Sequence, residues 1–336
     1  MKEKYGSIQM MRGIAALSVV FAHIGTISNG FFGVDLFFCI SGFIMMHVTE
    51  RSGRHFLEKR AIRIFPLYWC TTLLIVAMLF IKPDFFKSLI LTSEHVIKSL
   101  LFIPYYHRVR SGAEANALNF VGWTLILEVF FYFLFFISMQ ISHKNRHYIA
   151  TAILLTMVIV GFIFKSNIVF IRFYCTPIIL EFALGMFSYK LLTRPDVKQW
   201  GSFRAIVAIF AATLIWAILF VLTNIPQFME YVRNIRIIPY GLPTFVVFLL
   251  LFKAFEGRSV PKPLIVLGNI SYSLYLIHWF VIHGFSRLVY DVEHNSPLSL
   301  TLAFLVVIPL IILFSWISWW LIENKLSEWL RKRLKV

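Results

Sequence analysis

The chemistry-bearing residues of this sequence are few, and they lie where charge is expensive. Arg12 and His23 are separated by ten residues in the run RGIAALSVVFAH. Eleven helical positions at about 100° each make three turns plus about 20°, so both side chains share one helix face, about 16 Å apart. An imidazole of ordinary basicity can take a proton from a hydroxyl at neutral pH, and a guanidinium at the other end of the same face can hold a phosphate or a thioester. The spacing equally suits an arginine snorkelling to lipid headgroups and a histidine bonding a neighbouring helix. Asp35 follows the glycines Gly30 and Gly33 at the start of the next apolar stretch. There a carboxylate can orient the His23 imidazole, as in a catalytic triad, or simply favour the positive end of a helix.

Further along, Arg60 and Arg63 stand three apart before Pro66, Leu67, Tyr68 and Trp69. Paired guanidiniums on one helix face can bind the phosphates of a nucleotide-bearing cofactor while Tyr68 or Trp69 packs against it. The alternative is ordinary positive charge at a membrane edge beside an aromatic belt. Glu128 and Glu181 fall inside apolar stretches, where a carboxylate faces the protein interior rather than lipid. Ser271 and His278, seven apart, repeat on nearly one face and, with Ser41 and Glu181, mark candidate interior-lining positions. Cys39, Cys70 and Cys175 lie in apolar runs and read as reduced core residues. No nucleotide-binding glycine loop, nucleophile elbow or metal-ligand spacing occurs, so the expectation is no metal and no permanently bound cofactor.

The elements that must position these groups are membrane helices. The 336 residues are 59% hydrophobic and 14% charged, with mean hydropathy +0.79. Soluble domains are nearer 45–50% apolar and about 25% charged, so a soluble protein is excluded. The net charge of +16 does not signal nucleic acid, because the basic residues sit between long apolar runs rather than on one amphipathic face. Windows long enough to cross about 30 Å of hydrocarbon recur about ten times. They lie at 10–28, 32–48, 62–81, 122–141, 148–164, 169–191, 203–222, 237–255, 264–283 and 298–322. With both termini in the cytoplasm, 22 of the 32 Lys and Arg fall on the inner side, as the positive-inside bias requires.

The first run follows Lys2 and Lys4, has no small-residue cleavage pattern, and reads as a retained signal-anchor. An apolar piece at 96–103, ended by Pro104, is too short to cross and reads as an interfacial or re-entrant helix. A polar loop at 105–119 is placed to cover or admit an extracytoplasmic substrate. The expectation is an all-α polytopic membrane protein forming one domain over 1–336, with no appended soluble domain.

Taken in order, these pieces resemble the acyltransferase-3 family of integral-membrane acyltransferases, in its exopolysaccharide and O-antigen modifying branch. The resemblance is carried by the Arg12–His23 pair after Ile8 and Gln9, the block GFFGVDLFFCISGF, and Arg60 to Arg63 leading into Pro66–Trp69. Weaker marks are the Trp123–Glu128 segment, Gly185, and LGNISYSLYLIHW ending at Trp279. Thr124, Leu125 and Ile126 depart from a more serine-rich version of their segment, and Cys39 replaces a commoner small or apolar residue. The resemblance implies an acyl-CoA donor, usually acetyl-CoA, used from the cytoplasmic side, and an acceptor sugar hydroxyl, free or lipid-linked, on the outer side. It also implies residence in a bacterial inner membrane. On that basis His23 is the expected base, Asp35 its orienting carboxylate and Glu128 a third catalytic group, while Arg12, Arg60 and Arg63 face the donor. The rival expectation is an exporter of a lipid-linked saccharide, which paired broken spans in two related halves would signal; no such symmetry is present.

Overall fold

The computed structural model describes residues 6–24, 32–81, 91–105, 107–108, 114–115, 117–164, 168–194, 198–292 and 296–336. The basic lead at Lys2 and Lys4, the turn at Gly30 and positions 106, 109–113 and 116 of the polar loop at 105–119 lie outside the described residues. The first helices are α1 Gly6–Ala22, α2 Phe32–Val48, α3 Phe56–Ile81, α4 Ser93–Leu100, α5 Trp123–Ile141 and α6 Arg146–Phe164. Next come α7 Val169–Tyr174, α8 Leu180–Leu192, α9 Ser202–Leu222, α10 Pro226–Asn234 and α11 Leu242–Phe255. The chain ends with α12 Lys262–Asn269, α13 Ser271–Leu288, α14 Pro297–Leu302, α15 Ile308–Ser318 and α16 Ser327–Leu334, the last three joined by π turns. Among the described residues the extended structure is one two-residue antiparallel pairing, His107 with Ala115 and Arg108 with Glu114.

Six of these stretches are long and apolar enough to cross a bilayer without interruption: Phe56–Ile81, Phe120–Ile141, Arg146–Phe164, Ser202–Leu222, Ile237–Phe255 and Pro297–Leu334. A seventh is α12 with α13, bent by 73° at their junction. The chain is therefore a multi-pass helical membrane protein. The first two expected spans form apolar helices of 17 residues each, about 25 Å long at 1.5 Å per residue; α2 coincides with its window at 32–48, whereas α1 starts four residues before its window and ends at Ala22. The expected span at 169–191 is interrupted. Here α7 ends at Tyr174, and Pro177, which lacks an N–H and keeps its predecessor out of the helical region, opens a single 3₁₀ turn before α8. The short helix expected at 96–103 is α4, which starts three residues earlier and is capped by Thr92, whose hydroxyl accepts the His95 N–H at 3.1 Å.

The chain forms two compact units, Met1–Ser52 with Pro177–Ser315, and Gly53–Thr176 with Trp316–Val336. In the first, α2 packs on α8, α1 on α2, α12 and α13, and α11 on α9 and α2. The α2–α8 contact is close because both helices present glycine. A Cβ on Gly185 would lie 2.0 Å from the Cys39 carbonyl oxygen, and one on Gly42 would lie 2.1 Å from that of Phe182. Small residues of this kind let helix backbones approach where lipid supplies no hydrophobic drive between helices. Phe43 fills the space one turn on, ringed by Tyr189, Phe248 and Phe252. Gly185→Ala is expected to cost about 1–3 kcal/mol or more through overpacking, read as a fall in the melting temperature of the detergent-solubilised protein. Gly201→Ala, where an added Cβ meets nothing within 4 Å, is the control that should melt with the unaltered protein; equal melting of both would refute the close contact.

In the second unit α3 packs on α4, α5 and α16, and α5 and α7 on α6. Its interior is aromatic: Phe102 stacks on Phe65 and Tyr68 at 4.7 and 4.4 Å, and Phe56 meets Phe135 at 5.7 Å.

Candidate functional site

Each unit holds one set of the residues that could do chemistry. In the first, Arg12 is buried on α1 and bonds Gln9 one turn back at 3.5 Å. His23 stands just beyond the end of that helix. Its backbone N–H has turned to the Val20 carbonyl at 3.1 Å, leaving the Val19 carbonyl without the backbone partner a regular helix would give it. The imidazole supplies that partner, Nδ1 to Val19 O at 2.8 Å. A carbonyl only accepts, so the proton of the neutral ring sits on Nδ1 and the basic lone pair on Nε2. Facing it, edge to face with ring centroids 5.0 Å apart, is His278 of α13. His278 is fully buried, and its Nδ1 donates to the Leu274 carbonyl at 3.1 Å. Ser271, two turns before it, is fully buried as expected of an interior position, and so are Ser41 on α2 and Glu181 on α8.

Asp35 departs from expectation. Its carboxylate, wholly buried, takes a bidentate pair from Arg236, Nε to Oδ1 at 3.0 Å and Nη2 to Oδ2 at 2.6 Å. The side chain expected to orient the imidazole is committed instead to a guanidinium 201 positions away. Arg236 is set there by the π turn Ile237–Gly241, which leads into α11 at Leu242. The Glu181 carboxyl lies beside the pair, and a Cβ on Gly241 would stand 2.8 Å from its Oε1. The Asp35–Arg236 pair thus ties α2 to the turn before α11, and Glu181 of α8 lies beside it with neither carboxyl oxygen hydrogen-bonded among the described residues.

In the second unit Arg60 lies over the Tyr132 ring, 6.0 Å from its centroid, and the Tyr132 hydroxyl donates to Glu128 one turn back on α5. Arg63 is the second cation of this cluster. Glu128 therefore belongs with the arginines of α3. The Arg60 Nε–H is buried with no acceptor among the described residues, which fits an anion that it would meet. One turn toward the start of α3, a cavity of about 500 Å³ opens between Arg54, His55, Phe136, Met139, Gln140 and His143. The two aromatic residues expected to hold a cofactor are otherwise employed. Tyr68 is fully buried under Phe102, and Trp69, although exposed, donates through Nε1 to the Leu100 carbonyl at 2.9 Å, fastening α4 to α3.

Sequence reading missed Arg236, Tyr132 and the function of the His278 ring as a neighbour of His23. Tyr132 carried a signal, since it stands four residues after Glu128 on one helix face. Arg236 carried none beyond being a charge at the edge of an apolar span.

The chain is thus a membrane protein of apolar helices with an arginine buried on α1 and a partly buried imidazole just past the end of that helix. Residues 5–320 match the family model described as an acyltransferase domain, so the chain belongs to the acyltransferase-3 family. It is similar to the exopolysaccharide production protein ExoZ of Rhizobium meliloti (strain 1021), 31% identical over 281 residues, 81% of this chain and 83% of that protein. It is also 26% identical over 331 residues, 92% of this chain and 81% of the relative, to BcsY of Komagataeibacter xylinus, named for a membrane-bound transacylase. The ORF330 protein of Acidianus two-tailed virus, named for an acetyltransferase, is 26% identical over 285 residues, 81% of each chain. No solved structure matches the chain.

Proposed function

We propose that the protein is a membrane O-acyltransferase that moves an acetyl group from acetyl-CoA, taken up on the cytoplasmic side, to a hydroxyl of an exopolysaccharide sugar on the outer side of a bacterial inner membrane. Family membership and the ExoZ relative support the reaction class and the saccharide acceptor. The observation that carries the mechanism is His23, held through Nδ1 by the Val19 carbonyl so that Nε2 is left as a base. His23 Nε2 takes the proton of the acceptor hydroxyl as its oxygen attacks the thioester carbonyl. The carbon–sulfur bond breaks, the electron pair leaves on sulfur, and the proton passes to that thiolate. In this reading α1, α2 and the interrupted stretch at 169–192 also cross the bilayer, making about ten spans with both termini cytoplasmic.

The donor's phosphates fall to Arg60 and Arg63, supported by the Arg60 Nε–H, unpartnered among the described residues, and by the adjoining cavity, where Arg54 offers a cation and Phe56 and Phe136 an aromatic wall beside Glu58. Acetyl-CoA is expected to raise the melting temperature of the detergent-solubilised protein, and Arg60→Ala to weaken acetyl-CoA binding by about tenfold to a hundredfold in calorimetry, the loss of one charge-assisted contact. An unchanged dissociation constant would remove the phosphates from this cluster.

A further inference from the structure

His278 is costly where it stands. Its Nδ1–H is spent on the Leu274 carbonyl, so its Nε2 is a lone pair, fully buried and with no hydrogen-bond partner among the described residues. A buried acceptor left unsatisfied costs about 1–3 kcal/mol, and a phenyl ring would fill the same space without that cost. Against it stands the His23 ring, 5.0 Å away between centroids and inclined at 60°. A ring nitrogen lies about 1.1 Å from its ring centroid, so at that separation a turn of either ring can bring the two Nε2 atoms to hydrogen-bonding distance. Both rings are tethered alike, each through Nδ1 to a carbonyl one turn back, at 2.8 Å for His23 and 3.1 Å for His278. While both are neutral, each contributes a lone pair at Nε2 and no proton for the other to accept. Once His23 has taken a proton, one becomes a donor and the other an acceptor.

We infer that His278 is the positioning partner of His23, its Nε2 accepting a hydrogen bond from the Nε2–H that His23 carries between removing the acceptor's proton and returning it. With His23 as the base proposed above, the oxygen–hydrogen bond of the acceptor breaks as the carbon–oxygen bond of the ester forms. The proton is then shared between Nε2 of His23 and Nε2 of His278, and it leaves for the sulfur when the carbon–sulfur bond has broken. No proton or electron is gained or lost by the pair over a turnover. An imidazole does here what a carboxylate does in a triad, without holding a permanent charge in the apolar interior. Asp35, the carboxylate nearest in sequence, is already paired with Arg236. The remaining imidazole at the pair, His283, is tied by Nδ1 to the Trp279 carbonyl at 3.0 Å and stacked on the Trp279 ring.

The test uses membranes carrying the full chain, radiolabelled acetyl-CoA as donor, and label in the polysaccharide fraction as readout. His278→Phe is expected to lower the rate at saturating acetyl-CoA by about tenfold to a hundredfold, the equivalent of one hydrogen bond to a charged group. The half-saturating concentration of acetyl-CoA should stay within about twofold, because the donor is held elsewhere. His278→Gln, whose amide oxygen can accept the same hydrogen bond, should recover most of the loss, and His278→Asn, with a shorter reach, should recover less. A purely structural role would move melting temperature without this ordering. Full activity in His278→Phe, or Gln no better than Asn and Phe, overturns the inference; should the Phe variant fail to fold, the Gln–Asn difference carries the same test. If the unaltered protein transfers no label, or His23→Ala remains active, it is the acyl-transfer reading that fails instead.

Discussion

Replacement of His23 by alanine is expected to stop acyl transfer in a protein that still folds and inserts. A positioned general base contributes about 10² to 10⁴ in rate, so the residual activity should fall to that fraction of the unaltered protein's. The structural cost is small by comparison. His23 lies past the last turn of α1 and is only partly buried, and the bond it gives up, to the Val19 carbonyl, is worth about 1 kcal/mol net. The measurement is the acetyl content of the surface polysaccharide by NMR in cells whose only copy carries the substitution, beside the melting curve of the purified variant. Near-normal acetylation with a normal melting curve would take the base out of the mechanism. A collapsed melting curve would mean that the ring closes the helix end rather than serving the reaction.

The largest effect on stability is expected at Arg236. Removing its guanidinium by Arg236→Leu leaves the Asp35 carboxylate at zero exposure with its two hydrogen bonds gone. Breaking one side of a buried ion pair costs about 3–5 kcal/mol, mostly the cost of the charge left behind. Asp35→Asn in the same chain removes that charge, so the double variant should regain most of the loss, giving a coupling energy of about 2 kcal/mol or more in a double-mutant cycle on melting data. Additive losses, or an Arg236→Leu protein that melts with the unaltered one, would mean that the pair does not hold α2 to the start of α11. Because α2 also packs on α1, which carries Arg12 and leads into His23, the single variant should lose activity along with stability, and the double variant should recover both.

Much of this was legible in the sequence. Hydropathy and the scarcity of charge settled the helical membrane class, because burying an unpaired backbone group or a charge in lipid is so costly that the solution is written into composition. The interior positions of Glu181, Ser271 and His278 followed from the same cost. The helical period set Arg12 and His23 on one face, whereas α1 ends at Ala22 and the His23 backbone N–H has already turned to Val20. Local breaks were less legible. The interruption before α8 had Pro177 as its signal, yet the hydropathy window over 169–191 runs straight across it.

The partners of the polar groups came from tertiary structure alone. Asp35 stood in sequence where it could have served His23, and it is Arg236, 201 positions on, that takes both its oxygens. His23 faces His278 only because α1 packs against α13 and because α13 starts from a 73° bend. Tyr68 and Trp69, a plausible cradle for a cofactor by type, are occupied by Phe102 and the Leu100 carbonyl. Period and hydropathy are properties of a single helix, and they say which side chains turn inward. Which of them meet depends on how far helices slide and tilt against one another, and that is set by shapes such as the Gly42–Gly185 contact rather than by any residue's own chemistry.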